Sequence, residues 1–158
     1  MIIISDSSAL SALAEINLLN LLPALFGEVL ITEPVRRECG NPGAPAALRL
    51  WIATPPAWIH PVPDPAVLLP ETANLGPGEA SAISLGWEHR RDCLLILDEK
   101  RGRRVAAALG LLKTGVLAIM ADAANQGLVD FDQALGRLAA VNFHMSESVI
   151  FQVRARLR

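Results

Sequence analysis

Two aspartates stand directly behind short apolar runs. Asp6 follows Ile2-Ile3-Ile4-Ser5, and Asp98 follows Leu94-Leu95-Ile96-Leu97. Each run is aliphatic and uncharged, which suits a buried parallel strand. Ligands of open α/β sheets bind outside the carboxyl ends of the strands, so both aspartates are expected at that edge. Two such carboxylates on neighbouring strands repel each other unless a proton or a cation lies between them. Magnesium suits that position, because it takes oxygen ligands and keeps several waters. Taken singly, either aspartate serves equally well as the N-cap of the following helix; the pair favours a site.

Two glutamates stand near expected helix termini. Glu79 lies in Gly76-Pro77-Gly78-Glu79-Ala80-Ser81. A first-turn glutamate is favourable in any helix, but here small residues flank it and leave room for close approach. Glu38, after Val35-Arg36-Arg37, reads by itself as a surface helix carboxylate. Behind Asp98 come Glu99 and then Lys100-Arg101-Gly102-Arg103-Arg104, four bases in five residues. Bases at a helix N-terminus oppose its dipole, so this run points to phosphate steering more than to a solvated helix start. The three histidines, His60, His89 and His144, show no zinc-ligand spacing, and Cys39 and Cys93 form no CxxC pair. The cysteines read as free buried thiols in a reducing compartment, and the protein is expected to be cytoplasmic.

The elements that would hold these residues alternate. After the first strand, Ser7 or Ser8 is expected to cap a helix. The helical period of Leu10, Leu13, Ile16 and Leu19 leads into the apolar segment Leu18 to Phe26, which Gly27 ends. Val29-Leu30-Ile31 reads as a second strand, and Thr32 as the N-cap of a helix through Cys39. Residues 40–77 hold nine of the eleven prolines, which excludes long regular elements. A short helix over 44–51 and edge segments at Trp58-Ile59 and Val67-Leu68-Leu69 remain possible there. Trp51 and Trp58 want burial, so this stretch reads as an ordered excursion. Helices follow from Pro77 to about Arg91, from Glu99 to Leu109 with Val105, Ala108 and Leu109 inward, and from Gly115 to Gln126. Two more follow, capped by Asp130 and Ser146 and running to about Val141 and Leu157. Strands alternating with helices imply a parallel sheet covered on both faces.

The length of 158 residues suits one domain, expected to span 1–158. Hydrophobic residues make up 52% of the chain and the mean hydropathy is +0.37. No run approaches the roughly 20 apolar residues of a membrane span, so no membrane partner is expected. The surplus apolarity suggests a homodimer interface. Charge is uneven: residues 1–79 carry three basic and eight acidic residues, a balance of −5, and residues 80–158 carry eleven and eight, a balance of +3.

Together, Asp6-Ser7-Ser8-Ala9-Leu10, Gly27-Glu28-Val29-Leu30-Ile31-Thr32 with Val35-Arg36-Arg37-Glu38, Gly76-Pro77-Gly78-Glu79-Ala80 and Leu97-Asp98-Glu99 resemble the PIN domain. More narrowly, the chain resembles the nucleic-acid-binding PIN branch related to VapC-type toxins, and the resemblance runs from residue 1 to about 128. The resemblance implies a three-layer α/β/α sandwich with a central parallel sheet. It implies a metal-dependent ribonuclease whose catalytic and metal-holding quartet is Asp6, Glu38, Glu79 and Asp98, working with Mg2+ or Mn2+. Ser7, Lys100, Arg101, Arg103 and Arg104 would meet the RNA. A small antitoxin covering the carboxylates would be a protein partner. The stretch Lys113-Thr114-Gly115-Val116-Leu117-Ala118 departs from the family's Gly-Thr-x-Gly-like turn, with Val116 where a hydroxyl is common and Ala118 at the second glycine. Asp122, one turn beyond Ala118, is either a further ligand or a surface carboxylate. A catalytically silent PIN-like binding module is the main alternative. A phospho-acceptor or phosphatase domain ranks lower, because it would want a second acid beside Asp6 where Ser7 and Ser8 stand.

Overall fold

The short aliphatic runs form the strands. In the computed structural model, which describes residues 1–158, the strands are β1 (Ile2–Ser5), β2 (Val29–Ile31), β3 (Ile59–Pro61), β4 (Cys93–Ile96) and β5 (Leu112–Thr114). The helices are α1 (Ser7–Glu15), α2 (Leu21–Phe26), α3 (Glu33–Cys39), α4 (Ala46–Ala53), α5 (Pro77–Glu88), α6 (Lys100–Ala108), α7 (Val116–Asn125), α8 (Phe131–Ala140) and α9 (Glu147–Arg154). The strands lie in the order β3-β2-β1-β4-β5, every neighbouring pair parallel. The chain winds outward from β1 through β2 to β3, then returns to add β4 and β5 on the other flank. Winding therefore reverses between β1 and β4, and such switch points open crevices at the strands' carboxyl ends.

Period-two alternation sends neighbouring residues to opposite faces. Ile3, Val29, Ile31, Ile59 and Ile96 join α1, α2, α3, α4, α7, α8 and α9 in a cluster of 28 buried residues. Ile4, Cys93, Leu95 and Leu97 face α5 and α6 in a cluster of only nine. The result is the three-layer α/β/α sandwich with a parallel sheet, thick on one side and thin on the other.

Several local expectations are corrected. The two expected apolar segments are indeed separate helices, parted where Asn17 adopts a positive φ of 60°, but the first ends at Glu15 and the second begins only at Leu21. Val67-Leu68-Leu69 forms no strand; Val67 and Leu68 are exposed, and the Leu69 N–H donates to Ser84 Oγ at 3.0 Å. Leu112–Thr114, to which the sequence pattern assigns no element, is edge strand β5, paired only to β4. On α6 the buried residues are Gly102 and Ala106, while Ala108 is exposed and Val105 and Leu109 are half-buried. Small side chains let α6 lie close over the thin face. Trp51 and Trp58 stack edge-on with ring centroids 5.6 Å apart and remain half-buried.

Candidate active site

Asp6 and Asp98 lie at the winding switch. β1 and β4 pair in register from Ile2↔Cys93 to Ser5↔Ile96, and the Asp6 N–H extends the ladder by donating to the Ile96 carbonyl at 3.1 Å. The Asp6 side chain is fully buried. Its Oδ1 accepts from the Ala9 N–H at 3.0 Å and its Oδ2 from the Ser8 hydroxyl at 3.0 Å. Asp6 is thus the N-cap of α1, and the expectation of Ser7 or Ser8 in that place is corrected: its extended backbone places the carboxylate over the first turn. Capping does not exhaust it, since each oxygen retains acceptor capacity. Burial pushes the Asp6 carboxyl up to about 7, with repulsion from Asp98 adding and the Ala9 N–H opposing.

Asp98 reaches across to α7, where the Val116 N–H donates to both oxygens at 3.2 and 3.1 Å. Gly115, the N-cap residue of α7, offers no side chain, so a carboxylate from another element satisfies the helix start. The backbone at Val116 supplies the polar support that its side chain lacks. Burial pushes Asp98 up to about 6, opposed by the Val116 N–H and the Arg103 guanidinium. A Cβ on Gly115 would stand 2.5 Å from Arg103 Nη1 and 3.0 Å from Asp98 Oδ1, so a side chain there would collide with both.

Glu38 sits in the last turn of α3. Its Oε1 accepts from the Gly78 N–H at 3.0 Å, and its Oε2 accepts from the Ser7 hydroxyl. One carboxylate therefore ties the starts of α1 and α5 to α3. Ser7, expected to meet substrate, directs its proton to Glu38 instead. Glu79 enters from the first turn of α5 and lies against Gly102 of α6. Its Oε2 is buried without a hydrogen-bond partner. Burial first, then Glu99, pushes Glu79 up to about 7, with Asp6 and Glu38 adding repulsion. Glu79 thus feels Asp6 and Glu38, and Asp6 feels Asp98. The side chains stop short of a closed ligand shell: no three His, Cys, Asp or Glu groups converge closely enough to hold an ion. Glu38 and Asp98 are drawn to backbone N–H groups instead.

The basic run divides. Lys100 and Arg103 border the cleft that contains Asp98, and Arg103 donates to the Leu97 carbonyl at 3.0 Å. Arg101 and Arg104 line a separate pocket with Glu71 and Asn74. Three-residue spacing puts each pair on its own helix face, so the expectation of a single phosphate-steering group is corrected. Asp122 is held by Arg156 at 2.9 and 3.1 Å, which makes it a surface ion-pair carboxylate. Sequence reasoning left Glu99 out of the site; its place directly behind Asp98 was the available signal.

In donor chemistry, though not in spacing, these residues suit a hard divalent cation. The donors are all oxygens, one of them buried and unpartnered, and the carboxyls outnumber the one nearby guanidinium. They do not fit zinc. The one adjacent thiol, Cys39, is buried and pushed up to about 12 by that burial, with repulsion from Glu38 and Asp6 adding, so it stays protonated.

Residues 2–158 match the model of a family described as a PIN domain. The match runs through α8 and α9, past residue 128, where the motif resemblance ends. No curated protein matches the chain at a significant level.

Proposed function

The chain belongs to the PIN-domain family, and from that premise we propose that it is a metal-dependent endoribonuclease of one domain, residues 1–158, acting as the toxin of a toxin–antitoxin pair. PIN domains are generally nucleases and typically use divalent metal ions. The observation that carries the reading is the state of the carboxylates. Asp6 is buried and Glu79 and Asp98 are half-buried at a switch point, desolvation raises all three toward neutrality, and a single guanidinium, Arg103, opposes it at Asp98. Unpaired buried carboxylates cost folding energy, and groups so perturbed cluster where chemistry is done.

Asp6, Glu79 and Asp98, with Glu38 beside them, are the groups that would hold Mg2+ or Mn2+. When bound, the ion offsets charge on the phosphoryl oxygens and makes an attacking water more acidic. The chain's own residues supply the rest. Ala9, Ser8 and Val116 fix the directions of Asp6 and Asp98. Ser7 and Gly78 hold Glu38 against the start of α5. Glu79, the carboxylate whose Oε2 lacks a hydrogen-bond partner, is the group left free to take a proton from water. Arg103 and Lys100 stand where RNA phosphates would approach. The exposed Leu50, Val67, Leu68 and Phe151 are consistent with a homodimer or an antitoxin segment, and an antitoxin arginine among the acids would meet the missing countercharge.

Asp98→Asn is the first test, because it keeps shape and removes charge. Cleavage of single-stranded RNA with magnesium should fall at least ~100-fold, as expected for loss of a metal-directed group, and chelation should stop the parent. Calorimetric Mn2+ affinity should fall with it. Cleavage by Asp98→Asn at the parental rate in saturating magnesium would overturn the reading. The silent-module alternative draws on the open ligand geometry; a folded parent that neither binds Mn2+ nor cuts RNA would establish it.

A further inference from the structure

Asp98 borders a cleft of about 330 Å3 whose far wall is built by the C-terminal segment. Sites for small ligands start at about this size. The near wall is the end of β5 and the first turn of α7, which contribute Lys113, Leu117 and Ala118. Across from it the chain leaves α8 through Asn142, whose positive φ of 59° turns it into the irregular segment 143–146 that lines the cleft. Phe143 is half-buried and faces the cleft. Arg156 pins the end of α9 to α7 through Asp122, so the wall is held in place.

The lining is bipartite. Leu117 and Ala118 give an apolar floor, with Phe143 as an aromatic surface. Lys100 and Lys113 give two cations at the rim, and neither has a carboxylate within ion-pair distance. An apolar slot with an aromatic face suits a base, and unpaired lysines suit the phosphate that carries it. Asp98 is itself part of the lining, so a chain seated in the cleft lies beside that carboxylate.

We infer that this cleft is a nucleotide subsite for single-stranded RNA, with Phe143 stacking an unpaired base and Lys100 and Lys113 holding its phosphate beside Asp98. The inference rests on the nuclease reading above and deepens it, since it places the substrate's approach along the C-terminal wall. A duplex would not serve, because its bases are already stacked and paired.

Binding separates the two claims. A short fluorescent single-stranded RNA of mixed sequence is titrated by anisotropy with calcium in place of magnesium, and cleavage is measured separately with magnesium. Phe143→Leu keeps an apolar side chain in the packing and removes the aromatic face. It should weaken binding about tenfold, the effect of losing one stacked base, and raise KM in cleavage, with a thermal midpoint near the parent's. Lys113→Gln should lower the slope of log affinity against log salt by about 0.7, one phosphate contact on a single strand. If both variants match the parent in affinity and salt slope, or if the parent binds no RNA, the subsite is disproved. If the losses appear but no metal supports cleavage, the subsite stands as an RNA-binding site and the nuclease reading falls.

Discussion

The two ends of one sheet treat the same residue types in opposite ways. At the amino ends, Glu28 before β2 meets His60 of β3 at 3.3 Å, and Asp92 stands before β4; both carboxylate side chains are 71% exposed. At the carboxyl ends, Asp6 is 0% exposed, and the charge that acts on it is another carboxylate, Asp98. Water screens the first group, and exposed pairs of that kind contribute about 0–1 kcal/mol. Nothing comparable offsets the second. Asp6 and Asp98 cap α1 and α7 and Glu38 ties α1 and α5 to α3, but capping does not require the acids to be desolvated beside one another, and that crowding at the switch point is what the proposed function draws on.

Glycine sharpens the contrast, because three glycines press on the carboxyl-end acids: Gly78 on Glu38, Gly102 on Glu79 and Gly115 on Asp98. Gly102→Ala isolates the effect. The new methyl would occupy the place of Glu79 Oε2, and the flexible carboxylate would swing aside sooner than α6 would move. Calorimetric Mn2+ affinity should fall about tenfold. Stability should not fall with it, since alanine for glycine in a helix is favourable by about 0.5–1 kcal/mol. A thermal midpoint that drops together with metal affinity would show that Gly102 serves packing, and the contrast between the ends would lose one of its supports.

The pH dependence of the metal-free protein comes next in size. Burial raises Asp6 to about 7 and Asp98 to about 6, and raises Glu79 to about 7. A folded pKa above the unfolded one means the native state binds the extra proton. The stabilising contribution is therefore complete below about pH 4 and is lost as pH rises through 6 to 7. For the fully buried Asp6 the slope reaches up to about 1.4 kcal/mol per pH unit. Urea midpoints in chelator should fall between pH 4 and 7, and Asp6→Asn should flatten the fall. Magnesium should flatten it too, because a cation favours the ionised form. A midpoint that rises over that interval would mean the acids are paired in a way incompatible with an empty cation site.

What was legible in the sequence follows from how local each signal is. β1 and β4 announce themselves as aliphatic runs, and their trailing aspartates place a site by sheet geometry alone. Glu38 carried no such mark; only its motif placed it in the quartet, because its hydrogen bonds to Ser7 and Gly78 span 31 and 40 residues. β5 is three residues long and contains a lysine, so neither length nor hydrophobicity reveals it; pairing with β4 makes it a strand. The four bases are close in sequence, but helix period sends Arg101 and Arg104 to one pocket and Lys100 and Arg103 to the cleft at Asp98. The cleft wall at Phe143 was invisible for another reason. It exists only where the segment after α8 crosses over α7, a tertiary fact without a local pattern.

The smallest effect is predicted at the opposite end of the sheet. Glu28→Gln removes a charge from the amino edge and leaves the side chain's size unchanged. Its carboxylate is mostly in water, and the partner His60 contributes Coulomb energy only when protonated. Stability should change by no more than about 0.5 kcal/mol, and Mn2+ affinity and RNA cleavage should match the parent. The same Glu→Gln change at Glu79 should abolish Mn2+ binding or weaken it many-fold. If the two substitutions lower metal affinity equally, long-range field and not local coordination governs the site, and raising the salt concentration should then erase both losses, since exposed charges are screened over about 10 Å at 0.1 M ionic strength. If the Glu79→Gln loss persists in high salt while Glu28→Gln stays silent, the carboxyl end of the sheet holds the cation through direct contact.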